Sequence, residues 1–169
     1  GGGAYLSLRA RGCKGGCRGG GGRTQAVEGL INGAVWCLGL MSGTARDGVD
    51  AAMVLTDGVG IEAFGPAIGI PYAAGEMSAV RAVHGDWRRF RPPLGPDVDL
   101  LRRAEAEVDA AHAGAAARLL ARPGAPDAAI LGFHGQTVAH APQEGWTWQL
   151  GDGAALARAL RRPGAGACG

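Results

Sequence analysis

Lysine occurs once in the 169 residues, against sixteen arginines. A bias that one-sided, beside abundant alanine and glycine, reads as the base composition of GC-rich coding DNA rather than as a binding surface. Aromatic residues make up 5% of the chain. No apolar run approaches the ~18–20 residues that a bilayer-spanning helix needs, so the sequence predicts no membrane segment. The first ten residues hold three glycines and only a short apolar patch, which is no secretory leader. Methionine is absent from position 1, and the chain reads as an excerpt. Cysteine is sparse and scattered, at Cys13, Cys17, Cys37 and Cys168. That spacing excludes a disulfide framework and predicts a protein of the reducing cytoplasm.

The formal charge of +2 is unevenly distributed. Residues 1–33 carry Arg9, Arg11, Lys14, Arg18 and Arg23 against Glu28 alone, so the rest of the chain is mildly acidic. An acidic body argues against a broad nucleic-acid surface. The same 33 residues hold 12 of the 32 glycines, with an uninterrupted run from Gly19 to Gly22. Such a segment buries too little apolar area to offset its ordering entropy and is expected to be a disordered extension. Cys13 and Cys17 lack a second Cys or His pair to complete a zinc site. An Arg/Gly tail that binds RNA is the bottom-ranked alternative function, since Tyr5 is its only aromatic platform.

One stretch organises the rest of the chain, Leu38 to Asp57, LGLMSGTARDGVDAAMVLTD. An apolar run enters a polar turn, Ser42-Gly43-Thr44-Ala45-Arg46-Asp47-Gly48, and a second apolar run leaves it, broken by Asp50. Strand, glycine-bearing turn and strand is a hairpin signature. Its turn is longer than reversal requires. Gly43 and Gly48 can take positive φ and let backbone N–H groups converge on an anion. Ser42 and Thr44 add hydroxyls, and Asp47 and Asp50 offer hard oxygens suited to Mg²⁺. These are the parts of a nucleotide-phosphate cradle.

Further along, Ile61–Tyr72 predicts a third strand with a break or bulge at Gly65-Pro66. Residues 73–84 predict a short helix ended by Gly85, and residues 87–96 an arginine- and proline-rich connection. The clearest helix runs over 97–122, capped by Asp97 or Asp99 and stopped by Pro123-Gly124. Leu101, Ala104, Val108, Ala111, Ala115 and Leu119 form its apolar face, and Glu105, Glu107 and Asp109 its solvated side. His112 adjoins the apolar stripe as a core-edge histidine. Residues 127–133 read as a buried parallel strand that delivers His134-Gly135-Gln136-Thr137, with His140 beyond it. Trp146–Leu150 reads as a strand. Asp152 starts a helix over about 154–162 whose N-terminus could hold an anion. Residues 163–169 have no structural pattern. The order of elements predicts an α/β fold in which a β-hairpin or meander is followed by α/β crossovers.

Two segments carry a resemblance. LGLMSGTARDGVDAAMVLTDG is similar to the first signature of the anhydro-N-acetylmuramic acid kinases. GFHGQTVAHAPQEGWTWQLGDGAALA resembles their second, with its HGQT core and TxQxGD stretch. The resemblance covers about residues 35–160, and residues 34–162 are expected to be the N-terminal part of such a kinase domain, ending truncated at 163–169. It implies the N-terminal lobe of an actin-like sugar-kinase (ribonuclease H-like) fold. It implies ATP and Mg²⁺ as cofactors, 1,6-anhydro-N-acetylmuramic acid as substrate, and a homodimer of the full-length parent. The activity implied is ring opening and phosphorylation to N-acetylmuramic acid 6-phosphate in cell-wall recycling.

By the same resemblance ATP binds at Gly43, Thr44, Ala45, Arg46, Asp47, Gly48, Val49 and Asp50, with Asp47 on the metal. His134, Gln136 and Thr137 fall on the sugar side. The family's usual Ser-Leu is Ala45-Arg46 here, and Arg46 is expected to point into solvent. The general-base aspartate is expected beyond Gly169, so no acid of this chain takes that role, Asp152 included. The runner-up reading is a lobe of another actin-like sugar kinase or ATPase that shares only the phosphate hairpin.

Overall fold

The computed structural model describes residues 33–87, 97–141, 143, 146–161 and 164–166. Strands β1 (Val35–Met41) and β2 (Gly48–Thr56) form the expected hairpin, antiparallel from Val35↔Thr56 to Met41↔Asp50. Their period-2 alternation sends Leu38, Leu40, Val49, Ala51 and Met53 into the core. Strand β3 (Ile61–Pro71) continues the meander on the other side of β2. The register passes from Ala52↔Ala67 to Val54↔Phe64, so Met53 faces the extra residues Gly65 and Pro66, the bulge that the Gly-Pro pair predicts. A Cβ on Gly65 would stand 2.8 Å from Cζ3 of Trp36; the glycine leaves room for the indole.

Helix α1 (Ser78–Gly85) begins five residues later than its sequence suggests. Gly75 (φ 89) and Met77 (φ 60) are both left-handed, which no α-helix accommodates. Helix α2 (Val98–Leu120) follows the predicted pattern, with Asp97 capping it by accepting from Leu100 N at 2.9 Å. Ala104, Val108, His112, Ala115 and Leu119 are buried along one stripe against the sheet and α1. Two of its acids are not the solvated face that the sequence suggests. Glu107 reaches across to the start of α1 and accepts from Ala79 N (3.0 Å) and Val80 N (3.1 Å). Asp109 accepts from Asp152 N at 2.8 Å. Both are consequences of tertiary packing at helix ends with orphan N–H groups.

Strand β4 (Ile130–Phe133) then pairs parallel with β1, Cys37↔Ile130 to Leu40↔Phe133. A separate hairpin, β5 (Gln136–Ala141) with β6 (Trp146–Leu150), comes next, then α3 (Gly153–Ala159). Residues 164–166, to which the sequence assigns no pattern, form β7 (Gly164–Gly166), parallel to β4. Glycine and alanine carry weak strand propensity, and only the waiting edge of β4 makes the pairing. The main sheet has the order β3-β2-β1-β4-β7, mixed in direction, with helices packed on it: an α/β domain. The Arg/Gly extension with Cys13 and Cys17, and the connection over 88–96, lie outside the described residues.

Candidate functional site

The polar turn between β1 and β2 is held from two sides. Arg46 N donates to Gly43 O at 3.1 Å, and Tyr72 N donates to Asp47 O at 2.9 Å. Its left-handed residue is Arg46 (φ 54), and neither Gly43 nor Gly48 uses the positive φ open to it. Gly48 is required for a different reason: a Cβ there would lie 2.5 Å from Ile70 O, where β3 passes. Gly43 is open, its nearest neighbour Ala45 N at 4.0 Å. Thr44, Ala45, Asp47 and Asp50 are exposed. Val49 is 1% exposed, so its side chain belongs to the core and only its backbone faces the turn.

Arg46 does not run into solvent. It is half-buried, and its Nη1 is enclosed without a hydrogen-bond partner among the described residues. Arg81 on α1 donates to Arg46 O at 3.5 Å and to Glu76 O. Burial, then the Arg46 charge, holds the pKa of His84 below the usual imidazole value. The flank of the turn is therefore cationic, and an enclosed guanidinium N–H gains most from an anionic partner. Of the five enclosed side-chain atoms without a partner among the described residues, four lie on this turn or against it. They are Ser42 Oγ, Arg46 Nη1, the Tyr72 hydroxyl and Gln136 Oε1. The Ser42 hydroxyl approaches that of Tyr72 closely enough to offset part of the desolvation that raises the Tyr72 pKa.

Parallel pairing of β4 with β1 carries the second polar cluster to the same end of the sheet. Gly135 takes φ 78 with its back on Leu150 O, a place where no Cβ fits. Gln136 is wholly buried, and its Nε2 donates to Gly43 O (3.3 Å) and Thr137 O (3.2 Å). His134 and Thr137 are linked by Gln149 of β6, whose amide donates to His134 Nδ1 and to Thr137 Oγ1, both at 3.2 Å. Because an amide nitrogen only donates, His134 accepts at Nδ1 and keeps its proton on Nε2. Sequence reasoning did not single out Gln149 as a member of this cluster; its one signal is its place in the TxQxGD stretch.

The remaining candidates are structural. Asp152 turns its carboxylate onto Ala154 N (2.8 Å) and Ala155 N (3.1 Å), so the α3 terminus that could hold an anion holds its own cap. Burial raises the pKa of Asp109, its hydrogen bond from Asp152 N lowers it, and the Asp152 charge adds a smaller upward push. His112 is fully buried; Nδ1 donates to Val108 O at 2.7 Å, and the ring meets Phe133 edge-on at 4.9 Å. Among the described residues no three His, Cys, Asp or Glu side chains form a metal-binding group. Among them, too, no helix is long and apolar enough to cross a membrane.

Comparison with known proteins bears on what this arrangement is for. The family model described as anhydro-N-acetylmuramic acid kinase matches residues 35–163, from the start of β1 to the end of α3 and just past it. The chain is 47% identical over 126 residues to anhydro-N-acetylmuramic acid kinase 1 of Jannaschia sp. (strain CCS1), covering 75% of this chain and 30% of that protein. It is 41% identical over 129 residues to the anhydro-N-acetylmuramic acid kinase of Rhodospirillum rubrum, covering 76% and 32%. For the kinase of Bradyrhizobium diazoefficiens the figures are 46% over 133 residues, 75% and 35%. The chain thus spans about a third of the length of the curated relatives it matches. Both signature segments lie inside the matched region, and the chain belongs to the anhydro-N-acetylmuramic acid kinase family.

Proposed function

We propose that this chain is the N-terminal part of an ATP-dependent kinase that opens and phosphorylates 1,6-anhydro-N-acetylmuramic acid, yielding N-acetylmuramic acid 6-phosphate. The observation that carries this reading is the junction of the two signatures, Gln136 Nε2 on Gly43 O. It joins the phosphate-type turn to the HGQT cluster at one end of the sheet. The fold is read as the first lobe of an actin-like sugar kinase, with its reaction in the cytoplasm, where ATP is supplied.

In this reading residues 43–50 receive the nucleotide phosphates. Arg46 supplies an enclosed donor, and Thr44 an exposed hydroxyl. Mg²⁺ is usually held by one or two carboxylates together with substrate phosphates and water. One exposed carboxylate on the turn, Asp47, fits that sparse ligation, and the metal supplies charge neutralisation of the phosphates when bound. His134 and Thr137, oriented by Gln149, face the sugar, with His134 donating from Nε2. Water gives a proton to the general base and adds at the anomeric carbon, and the bond from that carbon to O6 breaks. O6 takes the γ-phosphoryl group as that group's bond to the β-phosphate oxygen breaks and ADP leaves. Phosphoryl transfer rests mainly on positioning and electrostatics, which is what a braced turn offers. By the family resemblance the general-base aspartate lies outside these residues, and Asp152 and Asp109 are both engaged at the start of α3.

Substitution of His134 by Ala in the full-length kinase tests the sugar side. We expect KM for the anhydro-sugar to rise about 10-fold, the usual effect of losing one polar contact, with KM for ATP within twofold. A rise confined to the ATP KM reverses the two sites, and no change in either removes His134 from the site.

A further inference from the structure

The buried amide of Gln136 does something that a sugar ligand would not do. It is enclosed at the first position of β5, and its side chain spans two segments 93 residues apart to reach the carbonyl of Gly43. That carbonyl also accepts from Arg46 N, so both of its lone pairs are used and the turn is closed around it. The same Nε2 donates to Thr137 O, one residue along the strand whose Thr137 hydroxyl accepts from Gln149. Gln136 Oε1 is enclosed with no partner among the described residues. An amide kept only for packing would be replaced at little cost by an apolar side chain of the same shape, whereas here an orphan acceptor is tolerated to retain the two-way donor.

We propose that Gln136 is a positioning residue that couples the β1–β2 turn to the HGQT–Gln149 cluster, rather than a ligand of the sugar. A displacement of the turn at Gly43 is transmitted through one nitrogen to the backbone of Thr137, and the reverse. The coupling itself is a property of the fold. Its catalytic meaning, that nucleotide and sugar sites adjust together, rests on the kinase reading above.

The test separates the two. Gln136→Met fills similar volume without a donor. Hydrogen exchange on the 169-residue chain is expected to show the Arg46 amide exchanging about 10-fold faster in this variant, with the Leu38 and Met53 amides unchanged. An unaltered Arg46 rate overturns the coupling, and a uniform rise across the core reduces Gln136 to a packing residue and overturns it too. In the full-length kinase, the same substitution is expected to raise the KM values for ATP and for the sugar together by about 5–10-fold with little loss of Tm. A rise in the sugar KM alone makes Gln136 a sugar ligand and overturns the proposal. Should Gln136→Met fail to fold, Gln136→Asn, one methylene short of Gly43 O, is read in the same way. If Arg46 exchange responds while neither KM moves, the coupling stands and the kinase reading of these two sites fails.

Discussion

At the scale of single residues, glycines of the same motif have different tasks. Gly48 is fixed by the sheet, because its missing Cβ leaves room for Ile70 O, whereas Gly43 has space around it. Gly48→Ala is therefore expected to lower the free energy of unfolding by about 1–3 kcal/mol, as overpacking does. Gly43→Ala should leave stability within about 0.5 kcal/mol, as substitutions away from packed features do. Urea denaturation of both variants checks this, and equal losses would contradict the geometry. Any effect of Gly43→Ala on nucleotide affinity then reports on the turn itself. His112 gives a pH signature. Burial lowers its pKa in the folded chain, with the Val108 hydrogen bond opposing and His134 adding to the shift. The unfolded chain therefore binds more protons below the ordinary histidine value of about 6.5, and stability falls as pH drops through that value. His84 shifts in the same direction, while Asp109, raised by burial, acts oppositely in the carboxylate range. The slope of stability against pH between about 7 and 5 should be shallower in His112→Leu than in the parent chain, as judged by urea midpoints across that range. An unchanged slope would mean that His112 does not carry it.

At the scale of elements, the ends of helices do most of the joining. Glu107 lies in the middle of α2, yet serves the orphan N–H groups of α1 and receives the Ser78 hydroxyl at 3.3 Å. Glu107→Ala is expected to cost about 1 kcal/mol, the usual worth of a cap, and to speed exchange of the Ala79 and Val80 amides ahead of those in α2. If those two amides keep their protection, the cap is not what anchors α1. This matters for the site because α1 presents Arg81 and His84 to the turn. The β3 edge is the other element with consequences. Ile61 is 56% exposed and Phe64 81%, and the adjoining Val59 83%. An apolar edge of this kind favours strand-to-strand association.

At the scale of the whole molecule, the chain spans about a third of its relatives' length, and the proposed reaction needs a closed cleft and a base. General-base catalysis alone is worth roughly 10²–10⁴-fold. Residues 1–169 incubated with ATP, Mg²⁺ and the anhydro-sugar are expected to give no sustained product. Steady turnover measured by sugar-phosphate release would show that an acid within these residues acts as the base.

What the sequence determined by itself is local. The hairpin, the bulge at Gly65-Pro66, the Asp97 and Asp152 caps and the stripe of α2 arise from turn chemistry and periodicity, which act over a few residues. Membership of the kinase family was legible too, because both signatures are contiguous. Only the tertiary structure decided which residues cooperate. Glu107 and Asp109 look like solvent-facing acids until α1 and α3 are packed beside them. Arg46 looks free until α1 closes over its flank, and β7 has no signal until β4 offers it an edge. Gln136 and Gly43 look unrelated until the parallel pairing of β4 with β1 brings the buried amide to the Gly43 carbonyl. In each case the partner is distant in sequence, and hydrogen bonding at helix ends and strand edges is satisfied by whichever group the packed chain brings within reach, a choice no local pattern contains.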